Sequence, residues 1–231
     1  MRGWWRVLGL TMVIAATGVS DMPAASVGIP NCDGARMLAD LLAAQQRGDN
    51  VPDERFAELM ASPRFLAAAE SGDVVAAYEL VGRSIQKRDQ IEAVRWLRQA
   101  AEHGHPDAQR ELGKRYMSGQ VVPQDYVEAA RWYGRAAHQG NIETFGALAA
   151  LHSLGRGVPQ DFVEAHKWYD LAATHLDRPG FPLSAQDRDK LAAKMTPAQV
   201  AEAQRRAAAW RPVQEPSPCP EVLRRILNPQ N

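Results

Sequence analysis

The chain has 231 residues, enough for one large domain or two small ones, each able to bury a substantial core. Its 27 lysines and arginines balance its 27 aspartates and glutamates, so no net field draws it to nucleic acid, an anionic membrane or a polyanionic substrate. Alanine is abundant and β-branched runs are almost absent beyond the N-terminal segment, a composition that reads as helical.

The N-terminal segment reads as a targeting signal rather than as structure. Arg2 and Arg6 give a basic start, Val7 to Ala16 is almost purely apolar, and small residues follow through Ser20 to Ser26. The apolar run is shorter than the roughly 20 residues that span a bilayer, which predicts a removable secretory signal over 1–26. Cleavage after Ser20 and after Ser26 both fit. Localisation is therefore expected to be periplasmic or secreted, with no stable membrane anchor. Ile29-Pro30-Asn31 before Cys32 does not resemble a lipoprotein signal.

Cys32 and Cys219 are the only cysteines. In an oxidising compartment the expectation is a disulfide between them. It would close nearly the whole domain, for about 4–5 kcal/mol at most in the chain-entropy picture. Two unrelated thiols is the other reading, since sequence carries no geometry.

From Ala35 to Gln45 a stripe of Met37, Leu38, Leu41 and Leu42 predicts a helix that caps the first repeat, and PRFLAAAESGD resembles the end of a repeat unit. Together, residues 33–71 read as an N-terminal cap and degenerate repeat. Beyond them the chain repeats itself. LGKRYMSGQVVPQDYVEAARWYGRAA from Leu112 aligns without a gap to LAALHSLGRGVPQDFVEAHKWYDLAA from Leu148, a period of 36 residues. An earlier copy keeps Asp89, Glu92, Trp96, Ala100 and Ala101 in register, with a loop about four residues shorter between its helices.

Each copy reads as two antiparallel helices. The second begins at an Asp followed three residues later by a Glu: Asp89 and Glu92, Asp125 and Glu128, Asp161 and Glu164. This pattern predicts a capping box, the Asp accepting from a first-turn N–H and the Glu reaching back to the cap residue's own N–H. A catalytic carboxylate pair is the sharper reading, but recurrence at every helix start favours capping. Ala129, Trp132 and Ala136, with their equivalents, share one helix face and are expected to be core rather than a ligand cage.

These residues resemble the Sel1-like repeats, relatives of the tetratricopeptide repeats. Leu112, Gly113, Tyr116, Gly119, Val122, Asp125, Ala129, Trp132 and Tyr133 match the family pattern, as do Leu148, Gly155, Gly157, Asp161, Trp168 and Tyr169. Three positions depart: Ala149 for glycine, His152 for tyrosine, and Val121 where the later unit has Gly157. If Gly157 adopts positive φ, Val121 cannot do so cheaply, and the loop at 118–124 is expected to differ locally. The resemblance implies an all-α fold: a right-handed superhelix, or α-solenoid, of antiparallel helix pairs over residues 72–178. It also implies a concave surface that binds proteins or peptides. Some cysteine-rich members are linked to β-lactam binding or hydrolysis, but they carry paired cysteines in each repeat, and this chain has none within its repeats.

After Leu176, DRPGFPL breaks the helix. Ala185 to Met195 reads as a short helix, and Thr196-Pro197-Ala198-Gln199 opens another with a capping signal. Leu191, Ala198, Ala201 and Ala208 predict its apolar side, and residues 184–231 read as a terminal helical cap with a proline-rich tail.

No phosphate loop, dinucleotide glycine motif, nucleophile elbow or zinc-protease helix appears. The histidines, His103, His105, His138, His152, His166 and His175, lack partners at ligand spacing, so no metal or cofactor is expected. The favoured function is a non-catalytic interaction scaffold, adaptor or regulator of the cell envelope that binds an unidentified protein partner. Its candidate contacts are Arg110, Lys114, Phe145 and His152, non-motif positions on the first helices. The alternative is a cell-envelope enzyme acting on β-lactams or glycans.

Overall fold

The computed structural model describes residues 32–175 and 183–213. The expected signal segment and Cys219 lie outside them. Within the described residues the chain is all helical, with no strand. Helices α1 (Asp33–Gln46), α2 (Asp53–Ala61) and α3 (Pro63–Glu70) lead into three pairs. These are α4 (Val74–Gln86) with α5 (Gln90–Glu102), α6 (Pro106–Ser118) with α7 (Tyr126–His138), and α8 (Phe145–Leu154) with α9 (Phe162–His175). A 3₁₀ turn, Ile142–Thr144, precedes α8, and α10 (Leu183–Ala192) and α11 (Pro197–Ala209) follow α9. Each pair packs internally and on the next pair; α1 and α3 lie on α4, and α10 and α11 on α9. This is an α-solenoid whose end pairs are covered on both sides, as a stack of repeats requires.

The helix starts follow from side-chain caps. Asp89 Oδ1 accepts from Glu92 N–H at 2.9 Å, and Asp125 and Asp161 each accept from two first-turn N–H groups. The first helices are capped at the equivalent turns by Asp73, from Ala76 N–H, and by His105, from Ala108 N–H. Asp73 is fully buried and its other oxygen accepts from Ala35 N–H at 2.9 Å, which ties α1 to the first repeat.

The glutamates do not complete the expected boxes. The N–H groups of Asp89, Asp125 and Asp161 donate instead to the carbonyls of Ser84, Tyr116 and His152. With that donor occupied, the glutamate turns to the indole one turn on: Trp132 Nε1 donates to Glu128 Oε2 at 3.0 Å and Trp96 Nε1 to Glu92 Oε1 at 3.4 Å. A full box does form at α11, where Thr196 N–H reaches Gln199 Oε1 at 2.9 Å and Gln199 N–H reaches Thr196 Oγ1.

The core has two main clusters, and adjacent residues of α7 join them. Trp132 enters the cluster of α4, α5 and α6 with Ala100, Ala101, Ala108 and Leu112, while Tyr133 enters that of α8 and α9 with Leu148, Ala165 and Trp168. The Trp132-Tyr133 pair of the middle unit is thus what joins the two clusters.

The loop at 118–124 corrects the sequence expectation. Val121 has φ 69° and Gly157 φ 71°, so both loops take the same conformation. Gly119 and Gly155 end α6 and α8 in the left-handed region, and Gln124 and Gln160 each donate to a carbonyl at 2.9 Å in the same register. What differs is the surroundings. A Cβ at Gly157 would collide with the Tyr126 carbonyl at the start of α7, whereas Val121 is exposed and has room. Left-handed φ costs a branched residue about 1–2 kcal/mol, partly returned because glycine is more flexible when unfolded. Val121→Gly should therefore stabilise the protein by about 0.5–1 kcal/mol in urea unfolding; a destabilised variant would show that the valine makes contacts that outweigh its strain.

The apolar side of α11 also differs from expectation. Leu191 of α10 is buried, but Ala198 and Ala208 are exposed; Ala203 is buried, and Ala207 and Trp210 pack on the core of α8 and α9 instead. In an alanine-rich helix the register is set by the large residues, and Trp210 lies edge-on to Phe145 and Trp168, at 5.3 and 6.1 Å.

Candidate functional site

The first helices of the second and third pairs, α6 and α8, carry the candidate contacts, and the structure separates them. Phe145 is a correction. It is fully buried, 5.3 Å from Trp168 and from Trp210, and lines no groove. Its equivalents one and two units earlier, Gln109 and Ala77, are buried as well, so the position faces inward in every unit. Gln109 satisfies its amide there by donating to Ala101 O at 3.1 Å and accepting from Gln139 at 2.8 Å.

Arg110, in contrast, sits at the centre of a polar network between neighbouring units. Its Nη1 lies 2.9 Å from Glu111 Oε1 and 3.1 Å from Glu143 Oε2, and its Nε lies 3.9 Å from Asp107 Oδ1. Asn141 Nδ2 donates to Asp107 at 2.9 Å and so fixes the far side of the network to the next unit. Tyr78 of α4 is the other neighbour; burial, then the Asp107 charge, pushes its hydroxyl pKa up. Tyr133 is pushed up to about 12, chiefly by burial. Burial alone raises Glu79 on α4. Lys114, one turn along α6, is exposed.

His152 belongs to a different place. It is half-buried near Asp161, Glu164 and Lys167 of the following helix, its Nδ1 is buried without a hydrogen bond, and burial lowers its pKa against the opposing pull of the two carboxylates. Glu164 there also pairs with Lys167 and with Arg206 of α11. The structure thus brings Arg110 together with Asp107, Glu111, Glu143 and Tyr78, and leaves His152 apart from them. Those partners escaped the sequence reading although the period points to one of them: Glu143 stands 36 residues after Asp107.

Among the described residues no His, Cys, Asp and Glu side chains are grouped so as to hold a metal ion, and no helix is long and apolar enough to cross a membrane.

Residues 75–105, 106–141 and 147–175 each match the Sel1 repeat, in step with the three helix pairs. The chain belongs to the Sel1-repeat proteins. Its fold is similar to the crystal structure of a protective antigen present in uropathogenic Escherichia coli strains and displaying an SLR fold, at 27% identity and a TM-score of 0.58 over 87% of this chain. The chain spans 41% of that antigen's length. It is 35% identical to a Sel1 repeat protein from Oxalobacter formigenes, over 55% of this chain and 96% of that one, with a TM-score of 0.49. No curated protein matches the chain.

Proposed function

We propose that the protein is an exported, non-catalytic adaptor of the cell envelope that binds a partner protein across the surface of α4, α6 and the turn before α8. Sel1 repeats are generally protein-interaction scaffolds, and this fold is generally non-catalytic. The observation that carries the reading is the Arg110 network. One guanidinium is held by three carboxylates, so the surface is pre-organised and has acid in excess. Glu143 is the carboxylate most open to solvent, with 59% of its side chain exposed, and it is the group a basic side chain of the partner would meet first. Export rests on the basic, apolar and small-residue pattern of residues 1–26.

The test is capture of the partner from an envelope extract by the purified full chain. Glu143→Lys should weaken capture on the order of tenfold or more, and added salt should weaken it further. Undiminished capture by both Glu143→Lys and Arg110→Glu would remove the assignment. Turnover of a β-lactam or a glycan by the purified chain would favour the enzymatic reading instead.

A further inference from the structure

The turns inside the three pairs, at 87–89, 119–125 and 155–161, share one edge of the solenoid. Neighbouring turns touch. Arg115 Nη1 donates to Gln90 Oε1 at 3.3 Å, Gly157 packs against the Tyr126 carbonyl, and the Arg156 guanidinium stands 5.4 Å from the Tyr126 ring centre. Six large apolar side chains are exposed among the described residues, and five of them, Ile85, Ile91, Val121, Val127 and Leu154, lie in or beside these turns. Ile91 and Val127 hold the same place in successive units, the second residue of α5 and of α7, and are 80% and 61% exposed.

The carboxylates of this edge are engaged. Asp89, Asp125 and Asp161 accept first-turn N–H groups of α5, α7 and α9. Further along, Glu92 takes the Trp96 indole N–H, Glu128 pairs with Arg131, and Glu164 pairs with Lys167 and Arg206. Lys87, Arg88 and Lys114 are exposed and have no carboxylate partner among the described residues, while Arg115 and Arg156 turn to Gln90 and Tyr126. The balanced charge of the whole chain thus conceals a basic margin here. Both non-glycine residues with positive φ among the described residues also lie on this edge, Arg88 at 60° and Val121 at 69°. Glycine would relieve the strain at either place, yet the chain keeps one basic and one apolar side chain there, both exposed.

We propose that this edge docks reversibly on an anionic lipid bilayer, its apolar side chains entering the headgroup layer and Lys87, Arg88 and Lys114 meeting lipid phosphates. The layout selects lipid over protein. Lys87 to Gln90, Gly119 and Gln120, and Gly155 and Arg156 stand between the apolar side chains. These are therefore separate tips, unlike the continuous patch of about 800 Å² per partner that a stable protein interface covers. A headgroup layer accepts separate tips, and its negative surface potential adds a severalfold gain in affinity for each cation held near it. Arg110 sits in the first half of α6, toward the opposite edge, so the α4–α6 surface stays open to a partner while the chain is docked.

The experiment follows amide hydrogen exchange in the full chain with vesicles of mixed phosphatidylglycerol and phosphatidylcholine, and with phosphatidylcholine alone. A readout turn by turn is needed because residues 1–26 carry an apolar run of their own. On the anionic vesicles the turns at 87–89, 119–125 and 155–161 should exchange about threefold more slowly or better, while those of the opposite edge, at 103–105 and 139–141, keep their rates. Two double variants, Ile91→Ser with Val127→Ser and Lys87→Gln with Arg88→Gly, should each raise the lipid concentration for half protection by about tenfold or more. Circular dichroism checks that they fold; if one does not, the pattern in the parent still decides. Equal protection on phosphatidylcholine alone, no protection of this edge, or protection unchanged in folded variants would overturn the proposal. Slower exchange at this edge on raising protein concentration without lipid, lost in Ile91→Ser with Val127→Ser, would assign it to a second copy and overturn the lipid surface.

Discussion

Replacing Trp132 by Ala should destabilise the protein by about 3–5 kcal/mol, the cost of emptying an aromatic site in a packed core. The side chain is 2% exposed. It shares a cluster with the small residues Ala100, Ala101 and Ala108 and with Leu112, and alanine side chains cannot extend to refill the space. Its indole N–H is matched by Glu128, and the guanidinium of Arg131 stands 4.4 Å from its ring centre. The effect should spread, because Trp132 holds the first pair to the second while its neighbour Tyr133 holds the second to the third. Denaturation followed by circular dichroism gives the free energy. A loss below about 1 kcal/mol would place the ring outside the core.

The second large effect is with pH. His105 caps α6 by accepting Ala108 N–H on Nδ1 at 3.3 Å, and its ring stacks on Tyr78 at 4.0 Å. Protonation would remove the acceptor and leave a charge in a buried place, and burial lowers the pKa to about 4. An unfolded histidine titrates near 6.5, so between these values the unfolded chain binds a proton that the folded one refuses. The stability contributed is fully present above about 6.5 and is lost as pH falls toward 4, up to about 3 kcal/mol for a shift of that size. His105→Asn supplies a neutral side-chain oxygen of the kind that caps helix starts and removes the titration. Its urea midpoint should fall less between pH 6.5 and 4 than the parent's. His152 and His166, also lowered by burial, account for part of the remaining slope. Parallel midpoint curves would assign the acid sensitivity to groups other than His105.

Much of the helical plan was legible because it is local and repeated. A capping Asp needs only the N–H groups two and three residues on, and the left-handed ends at Gly119 and Gly155 need only a missing Cβ. Neither depends on what another segment does. The misread positions all depend on another segment. The glutamates of the expected capping boxes lost their target to carbonyls of the preceding helix, a partner that exists only once the pair has closed. Phe145 read as a free surface position because it is outside the motif, yet Trp210, brought back by α11, is among the residues that cover it. Val121 read as incompatible with its loop, although the glycine opposite was required by contact with α7 rather than by the loop itself.

The sequence by itself determined the solenoid, since 36-residue periodicity and helical spacing of small and aromatic residues record which face of each helix is buried. Only the tertiary structure decided which residues meet: Arg110 with carboxylates of its own helix and of the next unit, His152 with Asp161, Glu164 and Lys167 near the following helix, and Val213 with the carbonyl of His138 at the end of α7. The physical reason is one of range. Stacking repeats the same short-range contacts in every unit and leaves a period in the sequence. A surface assembled across units combines residues whose proximity is set by the angle and spacing between helices, and no period encodes those.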